Sequence, residues 1–500
     1  MPRIAIIGSG FAGLGLGIQL KRQGVDTFTI FEKADEVGGT WRANTYPGAE
    51  YDIRSALYSY SFENFDWPNK WSHQPVIKAY LEHCADRYHL RPHLRFGCAV
   101  TEARWDEDSS TWDVEVNGGD GAGGGFRERF DVVVSATGQL SRPRWPDIAG
   151  LDTFAGPVFH SAEWDHDVDV SGTRVASIGA GASAVQYVPQ VAKEASQVTV
   201  FQRTPNWIVP KRDRDYTGFE KRLIRRSRMA RNLRRFGLWF RTDIVAFELM
   251  KRDSRVRNLG QKLSLKHLKD TISDPEIRRK LRPDYPMGAK RVLFSDDWYE
   301  SIDEYGIEIV TDPITEVTAD AIVTADADGT IDEHPVDVIV VGTGFHTQDF
   351  LTPMKVVGPG GRDLNADWQE GPQAYLGISV AGFPNLFFMY GPNTNLGHSS
   401  IVLMIEAQAR YLLSLFHQMA TSSIQAVEVR ADVQQAYNDE LAERLEDTAW
   451  VLIEDSWYLQ GGKVTNNWVG RTTEYRRRTD HARLDDYVLT PKAVPAGAGG

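Results

Sequence analysis

The chain is poor in cysteine: Cys84 and Cys98 are its only two among 500 residues. No disulfide framework and no cysteine-rich metal site can be built from them, so no metal is expected and a reducing, cytoplasmic setting is. Long hydrophobic runs are missing too. Nothing approaches the ~18 consecutive apolar residues that read as a membrane span, and the longest candidate, 401–415, is interrupted by Glu406, Gln408 and Arg410 and reads as a core helix. The first apolar strand starts within a few residues of Met1, leaving no room for a signal peptide. Excess positive charge is likewise absent. With 56 Lys and Arg against 68 Asp and Glu, the net charge of −12 argues against a nucleic-acid partner. No membrane partner is expected either, and the chain reads as a monomer or weak homo-oligomer.

What the sequence does carry is glycine in two ordered places. Gly8-Ser9-Gly10-Phe11-Ala12-Gly13 follows an apolar strand at 4–7 and leads through a helical stretch to a second strand ending at Glu32, with Lys33 beside it. Gly179-Ala180-Gly181-Ala182-Ser183-Ala184 repeats the order after a strand at 175–178 and leads to Arg203, with Thr204 next to it. The step from Gly8 to Glu32 equals that from Gly179 to Arg203. Such glycines permit a tight turn and bring backbone N–H groups close to a pyrophosphate at a helix N-terminus. An acid closing the unit accepts hydrogen bonds from a ribose, whereas an Arg accommodates a 2′-phosphate. The pair therefore reads as one FAD unit and one NADPH unit, and the fold as α/β with two Rossmann-like dinucleotide-binding domains. A flavin disulfide reductase shares that plan, but Cys84 and Cys98 are too far apart for its redox pair.

Five hundred residues suit two to four domains. An FAD-binding domain is expected from 1–145 and 336–500, since the run 337–344 looks like the return to the first unit, and an NADPH-binding domain from 146–212 and 285–335. Residues 213–284 have helical periodicity and few turn signals, so a helical insertion is expected there. The region 211–291 holds about two dozen Lys and Arg against about ten acids; it reads as a solvated basic face or as an attractor for an anionic cofactor or partner. The glycine-rich stretch 118–125 reads as a hairpin tip between strands near 112–116 and 126–134.

Between the two units lies Phe154-Ala155-Gly156-Pro157-Val158-Phe159-His160-Ser161-Ala162-Glu163-Trp164-Asp165. This pattern, FxGxxxHxxxW followed by Asp, resembles the fingerprint of type I Baeyer–Villiger monooxygenases, class B flavoproteins related to the flavin-containing monooxygenases. Gly39-Thr40-Trp41 followed by Tyr46-Pro47-Gly48 and Asp52 is similar to a second signature of the same family. The resemblance implies an enzyme that uses FAD, NADPH and O2 to insert one oxygen atom beside the carbonyl of a small-molecule ketone, giving an ester or lactone by way of a C4a-peroxyflavin. An N- or S-oxygenating flavin-containing monooxygenase is the alternative.

The resemblance also assigns roles. Asp52 neighbours the flavin and the catalytic Arg, which is Arg291 in Tyr285-Pro286-Met287-Gly288-Ala289-Lys290-Arg291. A guanidinium stays protonated and offers several donors, so it suits a peroxide and then a developing oxyanion. Arg203, Thr204 and Lys290 take the 2′-phosphate. Asn393, within 390–400, lies in a flavin-contacting return segment, and Trp457 contacts the nicotinamide cofactor from a loop. His160 and Trp164 belong to coupling between the domains rather than to proton transfer. The later run Asn467-Trp468-Val469-Gly470 departs from the family's common pattern, which frequently has Pro in place of Val469.

Overall fold

The computed structural model describes residues 1–119, 124–453, 458–460 and 463–492. Two parallel five-stranded sheets organise it. The first runs in the order Leu386–Phe388, Val132–Ser135, Ile4–Ile7, Phe28–Phe31, Leu94–Arg95. Its strands other than the edge pair Leu94–Arg95 are short, apolar and buried, as parallel strands covered on both faces must be. Helix Phe11–Arg22 links its central pair and packs on the long helix Ile401–Thr421. Gly15 permits this approach, because a Cβ there would lie 3.3 Å from Ile405 Cγ2. The run read as a core helix over 401–415 thus continues to Thr421, capped by the Ser400 hydroxyl.

The second sheet runs Glu308–Val310, Gln197–Phe201, Arg174–Ile178, Val338–Val341, Val158–His160. From sequence this unit is expected to end at 335, with 337–344 at the return to the first unit. The strand Val338–Val341 instead pairs within the second sheet, between Arg174–Ile178 and Val158–His160. An all-apolar run fits the interior of either sheet equally well, so hydropathy alone assigned it to the wrong one.

The stretch expected as one strand over 126–134 is two. Phe126–Phe130 closes an antiparallel sheet with Cys98–Asp106 and Thr111–Gly118, and Val132–Ser135 enters the first parallel sheet. Between the strands Ile208–Val209 and Leu293–Phe294, which pair in parallel, lie the helices Gly218–Arg226, Arg228–Trp239, Phe247–Met250, Arg255–Thr271 and Pro275–Lys280, with a π-helical turn at Phe240–Ala246. Among the described residues no helix is long and apolar enough to cross a membrane, and no cluster of His, Cys, Asp and Glu could hold a metal ion.

Candidate active site

Both glycine turns are built as their sequence requires. Gly8 and Gly179 sit at φ of 105° and 108°, a region that strains any residue with a Cβ. A Cβ on Gly13 would overlap the Gly8 carbonyl oxygen. The helices that follow, Phe11–Arg22 and Ala182–Val191, begin after Gly10 and Gly181 with no side-chain cap and no acid in the first turn. Elsewhere Thr217, Ser254 and Ser400 cap their helices. Two uncapped helix N-termini, each approached by bare glycine backbone, fit the pyrophosphates of two dinucleotides.

Glu32 is buried where the first strand pair ends. Its carboxylate accepts from the Ser9 N–H at 2.9 Å, the Ser9 hydroxyl at 2.7 Å and the Ala34 N–H at 3.0 Å. It therefore fixes the glycine turn while retaining lone pairs for a ribose hydroxyl; Lys33 lies exposed beside it. On the second unit Arg203 is exposed and Thr204 half-buried. Asn206 folds the chain back on the second fingerprint by donating to the Ala180 carbonyl at 2.6 Å. Tyr285 donates to the Pro205 carbonyl at 3.0 Å, and the Lys290 ammonium stands 5.1 Å from the Tyr285 ring centre. Lys290 is thus carried to the same edge as Arg203 and Thr204, a cationic group of the kind that holds a phosphate.

The turn Gly38-Gly39 opens the short helix Thr40–Ala43 and stands against the first fingerprint, with a Cβ on Gly39 only 3.0 Å from Gly10 Cα. Trp41 meets Tyr51 edge-on at 5.0 Å and Tyr58 at 6.2 Å. The chain then crosses to the second unit. Tyr46 donates to Gln186 Oε1 at 2.9 Å, the Glu50 N–H donates to the same oxygen at 3.3 Å, and Gln186 Nε2 donates back to the Glu50 carbonyl. A Cβ on Gly48 would lie 2.5 Å from the Gln186 carbonyl oxygen, so the loop lies flat on helix Ala182–Val191. Tyr46 therefore acts as a tie between the units as well as a neighbour of the flavin signature. Glu50 also pairs with Lys211, both nearly buried. Sequence reasoning missed Gln186, Glu50 and Lys211, because no local pattern marks a contact between such distant segments.

That crossing delivers Asp52 to Arg291, and the two form an ion pair with side chains 27 and 26 % exposed. Arg291 is positioned by its own segment. Trp207 Nε1 donates to the Tyr285 carbonyl at 2.9 Å, Arg257 Nε donates to the Met287 carbonyl at 3.0 Å, and Leu293 N–H donates to the Trp207 carbonyl. Burial disfavours the guanidinium charge, but the Asp52 carboxylate, with Tyr458 and Tyr390 nearby, outweighs it and holds the Arg291 pKa above its usual value. Tyr58, Tyr390 and Tyr458 all feel both members of the pair. Burial, more than any charge, raises their phenols, with Tyr458 pushed up to about 12, so all three stay neutral. This tyrosine ring was not foreseen; its members come from three separate segments.

Two expected residues are held by contacts within the protein. Asn393, at φ of 53°, donates its side-chain amide to the Val464 carbonyl at 3.1 Å and the Asn467 carbonyl at 3.3 Å, fixing the segment that carries Trp468. Trp164 packs on Phe159 at 5.1 Å and Tyr187 at 5.4 Å, half-buried against the second unit's core. His160 is fully buried at the end of its strand, accepts from the Ala162 N–H at 3.1 Å, and lies between Trp145 and Phe345. Burial pushes its pKa down to about 4, partly offset by the Gly344 backbone, so the ring is neutral near pH 7. Trp457 lies outside the described residues.

The flavin-binding monooxygenase-like family model matches residues 1–354. A Baeyer-Villiger monooxygenase of Streptomyces coelicolor is 43% identical over 99% of this chain and 94% of its own length, and one of Pseudomonas aeruginosa is 41% identical over 99% and 92%. Among solved structures, an oxidized steroid monooxygenase bound to NADP superposes with a TM-score of 0.85 at 29% identity, covering 98% of this chain and 99% of that one. A cyclohexanone monooxygenase from Rhodococcus sp. Phi1 bound to NADP+ does so with a TM-score of 0.85 at 30% identity and the same coverage. With two glycine turns built to take dinucleotides, and with relatives matched along nearly its whole length, the chain belongs to the flavin-binding monooxygenase-like family, among its type I Baeyer–Villiger monooxygenases.

Proposed function

We propose that the chain catalyses the NADPH- and O2-dependent conversion of a ketone to an ester or lactone, one oxygen atom entering beside the carbonyl carbon and the other leaving as water. The observation that carries this reading is the Arg291–Asp52 pair, ringed by Tyr58, Tyr390 and Tyr458, where the two nucleotide units touch. FAD, when bound, supplies the reduction of O2 by electrons drawn from NADPH.

The protein's own contribution is electrostatic and positional. Gly8, Gly10 and Gly13 with the first helix N-terminus bind one pyrophosphate, and Glu32 one ribose; Gly179 and Gly181 bind the other pyrophosphate. Arg203, Thr204 and Lys290 select the 2′-phosphate. Arg291 stabilises negative charge on oxygen as it attacks the carbonyl carbon, and then on the carbonyl oxygen itself. Asp52 keeps the guanidinium oriented. The three neutral phenols stand near the pair without adding a competing charge. His160, neutral and walled by aromatic rings, supports the strand end at which the two units meet and moves no proton.

The test is NADPH oxidation and O2 uptake with a panel of cyclic, linear, aryl and steroidal ketones, followed by product analysis. Ester or lactone in step with NADPH consumption is the expected result. Turnover confined to amines and sulfides would assign N- or S-oxygenation instead, which has less need of Arg291.

A further inference from the structure

The helical insertion carries its amphipathicity inside out. Along Arg228–Trp239 and the turn that continues it, Met229, Leu233, Phe236 and Phe240 are between 46 and 71 % exposed, and their 4-3-4 spacing puts them on one face. Arg234 and Arg235 point inward. Arg235 donates to the Ala56 carbonyl at 2.7 Å and the Ser59 carbonyl at 2.9 Å; Arg234 donates to the Tyr216 hydroxyl and lies 4.3 Å from its ring centre. The preceding helix Gly218–Arg226, separated only by Ser227, adds Phe219 and Leu223 to the exposed apolar set. A surface helix ordinarily turns its apolar stripe inward and its cations to water. Here guanidinium groups are desolvated while two phenylalanines of one helical run stand in solvent, the arrangement of a surface shaped for an apolar phase.

Charge says which phase. Glu220 is the only acid between 218 and 242, and Arg214 and Thr217 already hold it. Around the apolar strip stand Arg222, Arg225, Arg226, Arg228 and Arg241, all exposed. Of these, Arg225 has a solvent-exposed partner in Asp66. A second copy applied through the same face would set cation against cation. A bilayer containing anionic lipid supplies negative headgroups and an apolar interior together, and it asks for no shape match. We propose that Gly218–Arg226 and Arg228–Trp239 seat the enzyme on an anionic membrane surface, Phe219, Leu223, Leu233 and Phe236 entering the acyl boundary and the arginines lying among the phosphates. This is attachment in the plane of the interface, and it does not depend on the oxygenation chemistry.

The experiment is flotation of the full-length holoenzyme with vesicles of phosphatidylcholine alone and of phosphatidylcholine containing phosphatidylglycerol, at low and high salt. The expected result is binding to the anionic vesicles only, weakened by salt. Leu233→Ser with Phe236→Ser should lower partitioning at least about tenfold. Arg222→Gln with Arg226→Gln should lower it about fivefold per charge, with turnover measured without vesicles unchanged in both variants. Absence of binding to anionic vesicles overturns the proposal, as does undiminished binding by both variants. Sedimentation showing a dimer that Leu233→Ser with Phe236→Ser dissociates would give the face to a second copy and overturn it equally.

Discussion

Replacing Asp52 by Asn keeps the shape of the side chain and removes its charge, leaving Arg291 where it is but without its counter-ion. Two unit charges near contact interact by about 4 kcal/mol at an effective dielectric of 20. Both side chains are about a quarter exposed, and solvent screening reduces the useful part to about 2–3 kcal/mol. If the carboxylate works by holding the guanidinium toward the reacting oxygen, that loss appears in the oxygen-insertion barrier, and kcat/KM for the ketone falls about 30- to 150-fold. The glycine turns and the Arg203 edge are untouched, so anaerobic bleaching of the flavin by NADPH should stay within about threefold of wild type. NADPH would then be consumed with hydrogen peroxide released in place of ester. The assay pairs stopped-flow flavin reduction with chromatographic product yield and peroxide titration. Ester yield within about threefold of wild type would refute the role given to Asp52, and an equal fall in both phases would show that it acts on assembly of the site rather than on insertion.

Three further outcomes are expected. Arg203→Ala should raise KM for NADPH by about 10- to 100-fold and leave NADH kinetics nearly unchanged, since a charge-assisted phosphate contact contributes about 1.5–3 kcal/mol; equal losses with both cofactors would remove it from the 2′-phosphate site. Gly13→Ala places a Cβ on the Gly8 carbonyl oxygen, so purified protein should carry little FAD and unfold at markedly lower temperature; normal flavin content would contradict the turn geometry. Because the pKa of His160 is lowered to about 4 in the folded protein, the unfolded chain binds a proton there first as pH drops. Stability should therefore fall from about pH 6.5 toward pH 4 by about 3 kcal/mol on this account, and His160→Gln should flatten that slope in denaturant titrations.

The nucleotide cradles were legible because their chemistry is local: Gly8 and Gly179 need a backbone that other residues avoid, and each turn lies within one strand-turn-helix segment. Arg291 and Asp52 were legible only through resemblance, since neither has neighbours in sequence that announce a partner so far along the chain. That Tyr58, Tyr390 and Tyr458 gather near the pair was invisible for the same reason, although Tyr390 falls within the expected flavin-contacting segment 390–400. The strand Val338–Val341 was seen as a strand, but hydropathy carries no information on which of two similar sheets accepts it. The insertion's helical character was legible from its periodicity. Its inverted orientation was not, because a helical wheel shows two faces and not which one meets the protein.

The flat lie of residues 46–50 on helix Ala182–Val191 makes the Arg291–Asp52 pair a property of two bodies rather than one. Asp52 is supplied from one side of that seam and Arg291 from the other, so neither unit alone can compose the charged pair. On the proposed role of the pair, docking of the units becomes a logical condition on oxygen chemistry: the counter-ion is in place only when the unit bearing the second fingerprint is seated, and slippage at Gln186 would part Asp52 from Arg291.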